Sequence, residues 1–279
     1  MYSLDSGLRQ NDVRKICYTG KTTIMTDTKT SYRRTALVTG ASYGIGAAIA
    51  EVLARDGYDV AVTELKTDAL AETLGKIKAH GSRSLAVALD TRSQDSIEAC
   101  MQEVTQTFDH VDLLVNNAGV LARKAVIDIT RAEWQAVMDV NLTGTFFMSQ
   151  QMGRHLIGAK RKGGIISIAS THGVVGIANT SAYGISKAGI SHMTRMLAIE
   201  WAEHGIRVNA IAPGTTETLT RKQTLGADPL RRQMMIDRIP FKRFCTESDV
   251  AGVASYLASP AADYVTGQTL LVDGGLTSY

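Results

Sequence analysis

Residues 35–46 read TALVTGASYGIG. An apolar, β-branched run gives way to Gly40, Gly44 and Gly46, and helical spacing starts at Ile45 and continues to Arg55. That order specifies a short buried strand, a tight turn and the start of a helix. Glycines at such a junction let a backbone come close to a phosphate group. The helix N-terminus behind them offers unpaired N–H groups and positive potential. The spacing is GxxxGxG rather than the GxGxxG of the common dinucleotide fingerprint. Taken alone, the stretch is also satisfied by a plain tight turn, because glycine is the default residue for one.

The pattern repeats outward from this stretch. Strands are expected at Thr35–Thr39, Asp59–Thr63, Leu85–Leu89, Val111–Val115, Ile165–Ile168, Val208–Ala212 and Thr269–Val272. Most are apolar throughout, as parallel strands covered on both faces require. Helical spacing falls between them, at Ile45–Arg55, Ala69–Ala79, Asp95–Phe108, Ala132–His155, Ala182–Glu203 and Ser248–Leu257. Thr246 and Asp249 have the spacing of a capping motif for the last helix. Regular alternation implies an α/β, doubly wound, Rossmann-like fold: a seven-stranded parallel sheet with helices on both faces. No repeat or Pro-rich linker divides residues 34–279, which read as one domain. Residues 215–244 are the least regular, combining Arg221, Lys222, Arg231 and Arg232 with Leu225, Leu230, Met234 and Met235. A lid over a substrate site and an extra surface helix both fit that segment.

Bulk properties exclude several classes. Of 279 residues, 44% are apolar and 20% charged, ordinary for a chain with a packed core. A net charge of +3 with scattered Lys and Arg does not make a nucleic-acid surface. Cys17, Cys100 and Cys245 form no CxxC pair and suit a reducing, cytoplasmic setting. No apolar run reaches the ~18 residues of a membrane span, and no His, Cys, Asp or Glu spacing suggests a metal. Residues 1–33 lack both periodicity and the apolar core of a secretory signal. They read as a disordered tail or as an over-long reading frame preceding Met25.

Further motifs follow in order. Asn116-Asn117-Ala118-Gly119 succeeds the fourth strand, and Asn141 lies in a helical stretch. Ser170 follows the fifth strand, Tyr183-Gly-Ile-Ser-Lys187 opens the next helix, and Pro213-Gly214 ends the sixth strand with Thr218 beyond. Together with the glycine turn and the ending TGQTLLVDGG, this set closely resembles the single-domain short-chain dehydrogenase/reductase family, from Thr35 to Gly275.

Tyr183 and Lys187 are four residues apart and share one helix face. A phenol with a pKa near 10 is a poor base at neutral pH, and a nearby ammonium favours its phenolate. A tyrosine so placed can take a proton from an alcohol or return it to a ketone. The resemblance implies that Ser170 polarises the substrate oxygen, that Lys187 also holds the nicotinamide ribose, and that Asn141 positions a lysine-bound water. Ser167 is the rival hydroxyl but lies inside a strand. The resemblance further implies cofactor contacts from Gly40, Ser42, Tyr43, Gly44, Ile45, Gly46, Asp90, Thr91, Asn117, Ala118, Gly119, Pro213, Gly214, Thr216 and Thr218. Thr216 stands where the family usually has Ile or Val. Asp90 serves equally well as a cap for the helix beginning near Ser93. His172 fits either an exposed loop or the substrate pocket.

Glu64 ends the second strand, where a dinucleotide fold places the acid that binds the adenosine ribose. It favours NAD over NADP, although Lys66 could reach a 2′-phosphate. The expected activity is hydride transfer between a nicotinamide cofactor and a small-molecule secondary alcohol or ketone. The resemblance also implies a homodimer or homotetramer. Two alternatives remain: an NADPH-dependent 3-oxoacyl carrier-protein reductase, which shares every catalytic residue, and a nucleotide-binding regulator without turnover.

Overall fold

The computed structural model describes residues 33–218 and 228–278. The expectations for residues 1–32, and for Arg221, Lys222 and Leu225 of the lid segment, fall outside those residues. The strands are β1 (Thr35–Val38), β2 (Asp59–Glu64), β3 (Ser84–Ala88), β4 (Leu113–Asn116), β5 (Gly163–Ile168), β6 (Ile206–Pro213) and β7 (Thr269–Val272). They form one seven-stranded sheet in the order β3-β2-β1-β4-β5-β6-β7, and every pairing is parallel. All seven fall where the apolar runs predict.

The physical cause is visible in β1, whose four residues are all buried. Alternate side chains point to opposite sides of a strand. Ala36 and Val38 enter one core while Leu37 enters the other. Each face therefore needs a helical cover. On one side lie α1 (Gly44–Arg55), α2 (Ala71–Ala79) and the late helix Glu247–Ala258, with Ile49, Leu53, Val250 and Leu257 in the shared core. On the other lie α3 (Gln94–Phe108), α5 (Thr145–Gly158) and α6 (Ser181–Trp201), with Ile97, Met148, Met152 and Leu156. Leu53 is wholly buried, and trimming such a residue to alanine costs about 2–5 kcal/mol.

Local signals set the helix ends. Thr246 caps the late helix in a full capping box with Asp249, as its spacing predicts, and Ser93 caps α3. The single helix expected over Ala132–His155 is not continuous. It divides into α4 (Arg131–Met138), a π-helical turn over Asp139–Gly144, and α5. Gly144 explains the close approach there, since a methyl group on it would lie 2.7 Å from Thr91 Cβ. The irregular segment contains α7 (Pro229–Asp237), started by Asp228, which accepts a bond from the Arg231 N–H. With α7 numbered, the late helix Glu247–Ala258 is α8.

The strand order places the site. β1 lies between β2 and β4, so the chain reverses direction across the sheet at that point. In open parallel sheets a ligand crevice opens beyond the carboxyl ends of the strands at such a switch. The segments after β1, β4, β5 and β6 all emerge on this edge.

Candidate active site

The glycine turn is held by backbone geometry. Gly40 and Gly44 have φ of +61° and +68°, values that other residues adopt only with strain. A methyl on Gly40 would sit 2.8 Å from Ala118 Cα, and one on Gly46 would collide with Gly40 O and with Asn117 Nδ2. The turn thus packs directly on the segment after β4. Thr39 ties the two together: its Oγ1 accepts from the N–H groups of Asn117 and Ala118, both at 3.0 Å. Asn117 Nδ2 donates back to Thr39 O at 3.0 Å and to Gly40 O at 2.7 Å. The side chain of Tyr43 does not cap α1, and α1 has no acid in its first turn. Its first N–H groups and positive end suit the phosphates of a dinucleotide.

At the end of β2, Glu64 Oε2 accepts from Ser42 Oγ at 2.7 Å and its Oε1 accepts from the Leu65 N–H at 3.0 Å. The carboxylate is thereby held against the glycine turn. Asp90 is engaged by Arg92, whose Nη2 donates at 2.7 Å and whose backbone N–H donates at 3.0 Å. Those bonds hold the Asp90 carboxyl below its usual range. The cap of α3 is Ser93, so the alternative of Asp90 as helix cap does not hold. Thr91 is buried against Gly144.

The catalytic candidates converge. Ser170 and Tyr183 both line a cavity of about 160 Å³. Ile45, Pro213, Gly214, Thr216 and Thr218 line the same space, so the residues named from the glycine turn and from the end of β6 meet there. The Cγ2 of Thr218 would lie 3.6 Å from a methyl on Gly44. His172 belongs to this wall as well, its ring edge-on to Tyr183 with centroids 5.4 Å apart. Of the two readings of His172, the structure selects the pocket.

Two glycines fix the spacing between Ser170 and Tyr183. A methyl on Gly173 would lie 2.7 Å from Ala188 N, and one on Gly184 would lie 2.8 Å from His172 O. Backbone therefore docks on backbone between the Ser170 loop and the first turns of α6. Ser170 Oγ also accepts from the His172 N–H at 3.2 Å, which orients the hydroxyl.

Lys187 lies behind the cavity rather than in its wall. It is buried, donates from Nζ to Ile168 O at 2.7 Å, and sits 5.7 Å from the Tyr183 ring centroid. Burial pushes its pKa down to about 8, because a low-dielectric site disfavours the ammonium. Asn141 is wholly buried in the π-helical turn. Its amide bonds both the N–H and the carbonyl of Val120, at 2.8 and 2.9 Å, and reaches Ser186 Oγ at 3.0 Å. A methyl on Gly119 would lie 3.3 Å from Asn141 Oδ1 and 3.5 Å from Lys187 Nζ, so Asn141, Gly119 and Lys187 meet in one place. Ser167 faces inward, where it accepts from Asn116 Nδ2 at 3.4 Å, and it does not line the cavity.

Sequence reading passed over three contributors: Thr39, which joins the two cofactor loops, and Leu121 and Thr215, which line the cavity. Thr39 could have been read as a strand-ending hydroxyl next to the turn. Leu121 and Thr215 carry no local signal.

The comparisons agree with this geometry. A family model described as enoyl-(acyl carrier protein) reductase matches residues 40–277. The chain belongs to the short-chain dehydrogenase/reductase family. It is 40% identical to the 2-dehydro-3-deoxy-D-gluconate 5-dehydrogenase of Escherichia coli, over 87% of this chain and 94% of that one. It is 38% identical to a 3-oxoacyl-[acyl-carrier-protein] reductase of Staphylococcus epidermidis, over 87% and 98%. An Agrobacterium tumefaciens protein crystallised with bound NADP superposes with a TM-score of 0.81 at 38% identity, covering 88% of this chain and 97% of its own. As a member of this family, the chain is an oxidoreductase that acts on hydroxyl or keto groups of small molecules with a nicotinamide cofactor. Among the described residues no helix is long and apolar enough to cross a membrane, and none of their His, Cys, Asp and Glu side chains gather as metal ligands.

Proposed function

We propose that the protein interconverts a secondary alcohol and its ketone, with Tyr183 moving the proton, Ser170 binding the reacting oxygen and NAD as the preferred cofactor. The observation that carries this reading is the shared cavity of Ser170 and Tyr183 with the buried Lys187 ammonium behind it. When bound, the cofactor supplies or accepts hydride. Gly40, Ser42, Tyr43, Gly44, Ile45 and Gly46 hold its phosphates at the start of α1. Asp90 and Thr91 meet the adenine side, and Asn117, Ala118 and Gly119 line the cleft. Pro213, Gly214, Thr216 and Thr218 border the nicotinamide.

In the oxidation direction, Tyr183 Oη takes the hydroxyl proton while Ser170 Oγ donates a hydrogen bond to the same oxygen. In reduction, Tyr183 returns the proton and Ser170 stabilises the developing oxyanion. The positive charge of Lys187 favours the phenolate during oxidation. Asn141 clamps Val120 and so holds the Gly119 backbone beside Lys187. NAD preference rests on Glu64, whose carboxylate repels a 2′-phosphate and accepts bonds from ribose hydroxyls.

Two further parts of the reading concern the surroundings. The described residues on either side of 219–227, with Thr215, Thr216 and Thr218 in the cavity wall, suit the reading of residues 215–244 as a substrate lid. Exposed apolar residues on α5 and α6, Phe146, Met196 and Ile199 among them, suit pairing with a second copy in a homodimer or homotetramer. The buried free thiols of Cys100 and Cys245 fit a cytoplasmic setting.

The experiment is Tyr183→Phe, assayed on a panel of sugars, sugar acids, steroids and acyl ketones in both directions. Turnover should fall by three decades or more while NADH binding, followed by fluorescence, persists. Retention of a tenth of wild-type activity removes Tyr183 from the mechanism.

A further inference from the structure

Beside the reactive cavity lies a second one, of about 680 Å³, whose walls carry Arg123, Lys124, Arg231 and Arg238 and no acid among the described residues. Lys124 is committed elsewhere: its Nζ pairs with Glu133 at 2.8 Å. Arg123 and Arg231 have no carboxylate partner among the described residues. The guanidinium groups of Arg123 and Arg231 therefore border one space with no carboxylate paired to them among the described residues. A protein rarely gathers like charges without an anion to receive, since their mutual repulsion costs stability.

The same two chain segments, 121–125 and 168–179, contribute to both cavities. Leu121 lines the reactive cavity and Arg123 the basic one, and the two Cα atoms lie at most about 7 Å apart along the chain. On the facing wall His172 lines the first and Asn179 the second. The walls are tied to each other, because the Lys124 N–H donates to Asn179 O at 2.9 Å. A single molecule extending along these segments from the first cavity to the second would present a carbinol to Ser170 and Tyr183 and its far end to Arg123 and Arg231. Arginine binds a carboxylate through paired, charge-assisted bonds.

We infer that the basic cavity is the anion subsite of the substrate, and that the substrate is a small hydroxy or keto acid whose carboxylate is received by Arg123 and Arg231. This rests on the oxidoreductase reading above. The same anion chemistry could come from the phosphate of a pantetheine arm, so the test separates the two sources.

The probes are D-gluconate, D-galactonate and 2-dehydro-3-deoxy-D-gluconate, their neutral counterparts D-glucitol and D-galactitol, and acetoacetyl thioesters with and without phosphate. Wild type is expected to prefer an acid over its neutral counterpart by at least tenfold in kcat/KM. Arg123→Gln and Arg231→Gln should each lower that ratio on the order of tenfold, through KM. The KM for the acid should rise with ionic strength. Thermal-melt titration with the same acids and saturating NAD gives a second reading: acid raises the melting temperature of wild type more than that of Arg123→Gln/Arg231→Gln. An unchanged ratio in both variants overturns the subsite, as does a neutral alcohol turned over as well as any acid. A preference for the phosphate-bearing thioester that Arg123→Gln abolishes overturns the carboxylate in favour of the phosphate. Failure of wild type to turn over any member of the panel or to bind NAD(H) counts instead against the oxidoreductase reading.

Discussion

Lys187 is expected to cost the fold stability, and Lys187→Met should therefore stabilise the protein while inactivating it. The ammonium is buried and its pKa falls from 10.5 to about 8. A displacement of that size corresponds to roughly 3 kcal/mol of unfavourable burial at pH 7. The bond from Nζ to Ile168 O, at 2.7 Å, returns part of it, about 1.5–3 kcal/mol for a charged donor. The net gain for methionine at pH 7 is then up to about 1.5 kcal/mol, which at about 2–4 °C per kcal/mol for a chain of this size raises Tm by a few degrees at most. The sign depends on pH. Between about 8 and 10.5 the folded state holds fewer protons than the unfolded one, so raising the pH through this window strengthens the wild-type fold. Methionine has no such dependence. Paired urea and thermal melts without cofactor at pH 7 and pH 10 should show the advantage of Lys187→Met shrinking and reversing, because other titrating groups are common to both proteins. A stability difference that stays constant over this range refutes the reasoning.

Three other outcomes are expected. Glu64→Ala should raise the NADP-to-NAD ratio of kcat/KM several-fold: two unit charges at ~4 Å interact by up to about 4 kcal/mol at an effective dielectric near 20, and a quarter of that suffices; an unchanged ratio removes Glu64 as the selector. Gly46→Ala should weaken NADH binding at least tenfold and destabilise the fold by about 1–3 kcal/mol, because a methyl there meets the Gly40 carbonyl; normal fluorescence titration and urea curves would contradict this. Met196→Glu should split the assembly into monomers by light scattering at micromolar concentration, and a wild-type protein already monomeric there removes the oligomer altogether.

Most of the sheet was readable because burial on both faces forces unbroken apolar runs. TALV and DVAVT leave little alternative. The glycine turn was readable because φ above zero admits few residues. What escaped were features made by tertiary contact. The π-helical turn at Asp139–Gly144 contains no breaker except Gly144, whose reason is Thr91, some fifty residues earlier. Helix α7 answers to the surface helix offered as one reading of residues 215–244, and its start was legible in Asp228-Pro229, a cap followed by an N1 proline. Asn141 was singled out, yet its bonds to Val120 could not be read from spacing. The basic cavity joins Arg123 to Arg231, residues that only the fold brings near one another.

The docking of the Ser170 loop on α6 through Gly173 and Gly184 has an evolutionary reading. Backbone contacts that admit no side chain leave those positions almost no substitutions to explore without displacing the Ser170 loop from α6. The stretch that continues from the Ser170 loop, 174–179, exposes several side chains, among them Val174, Val175 and Ile177. Side chains there can therefore change without moving the two hydroxyls.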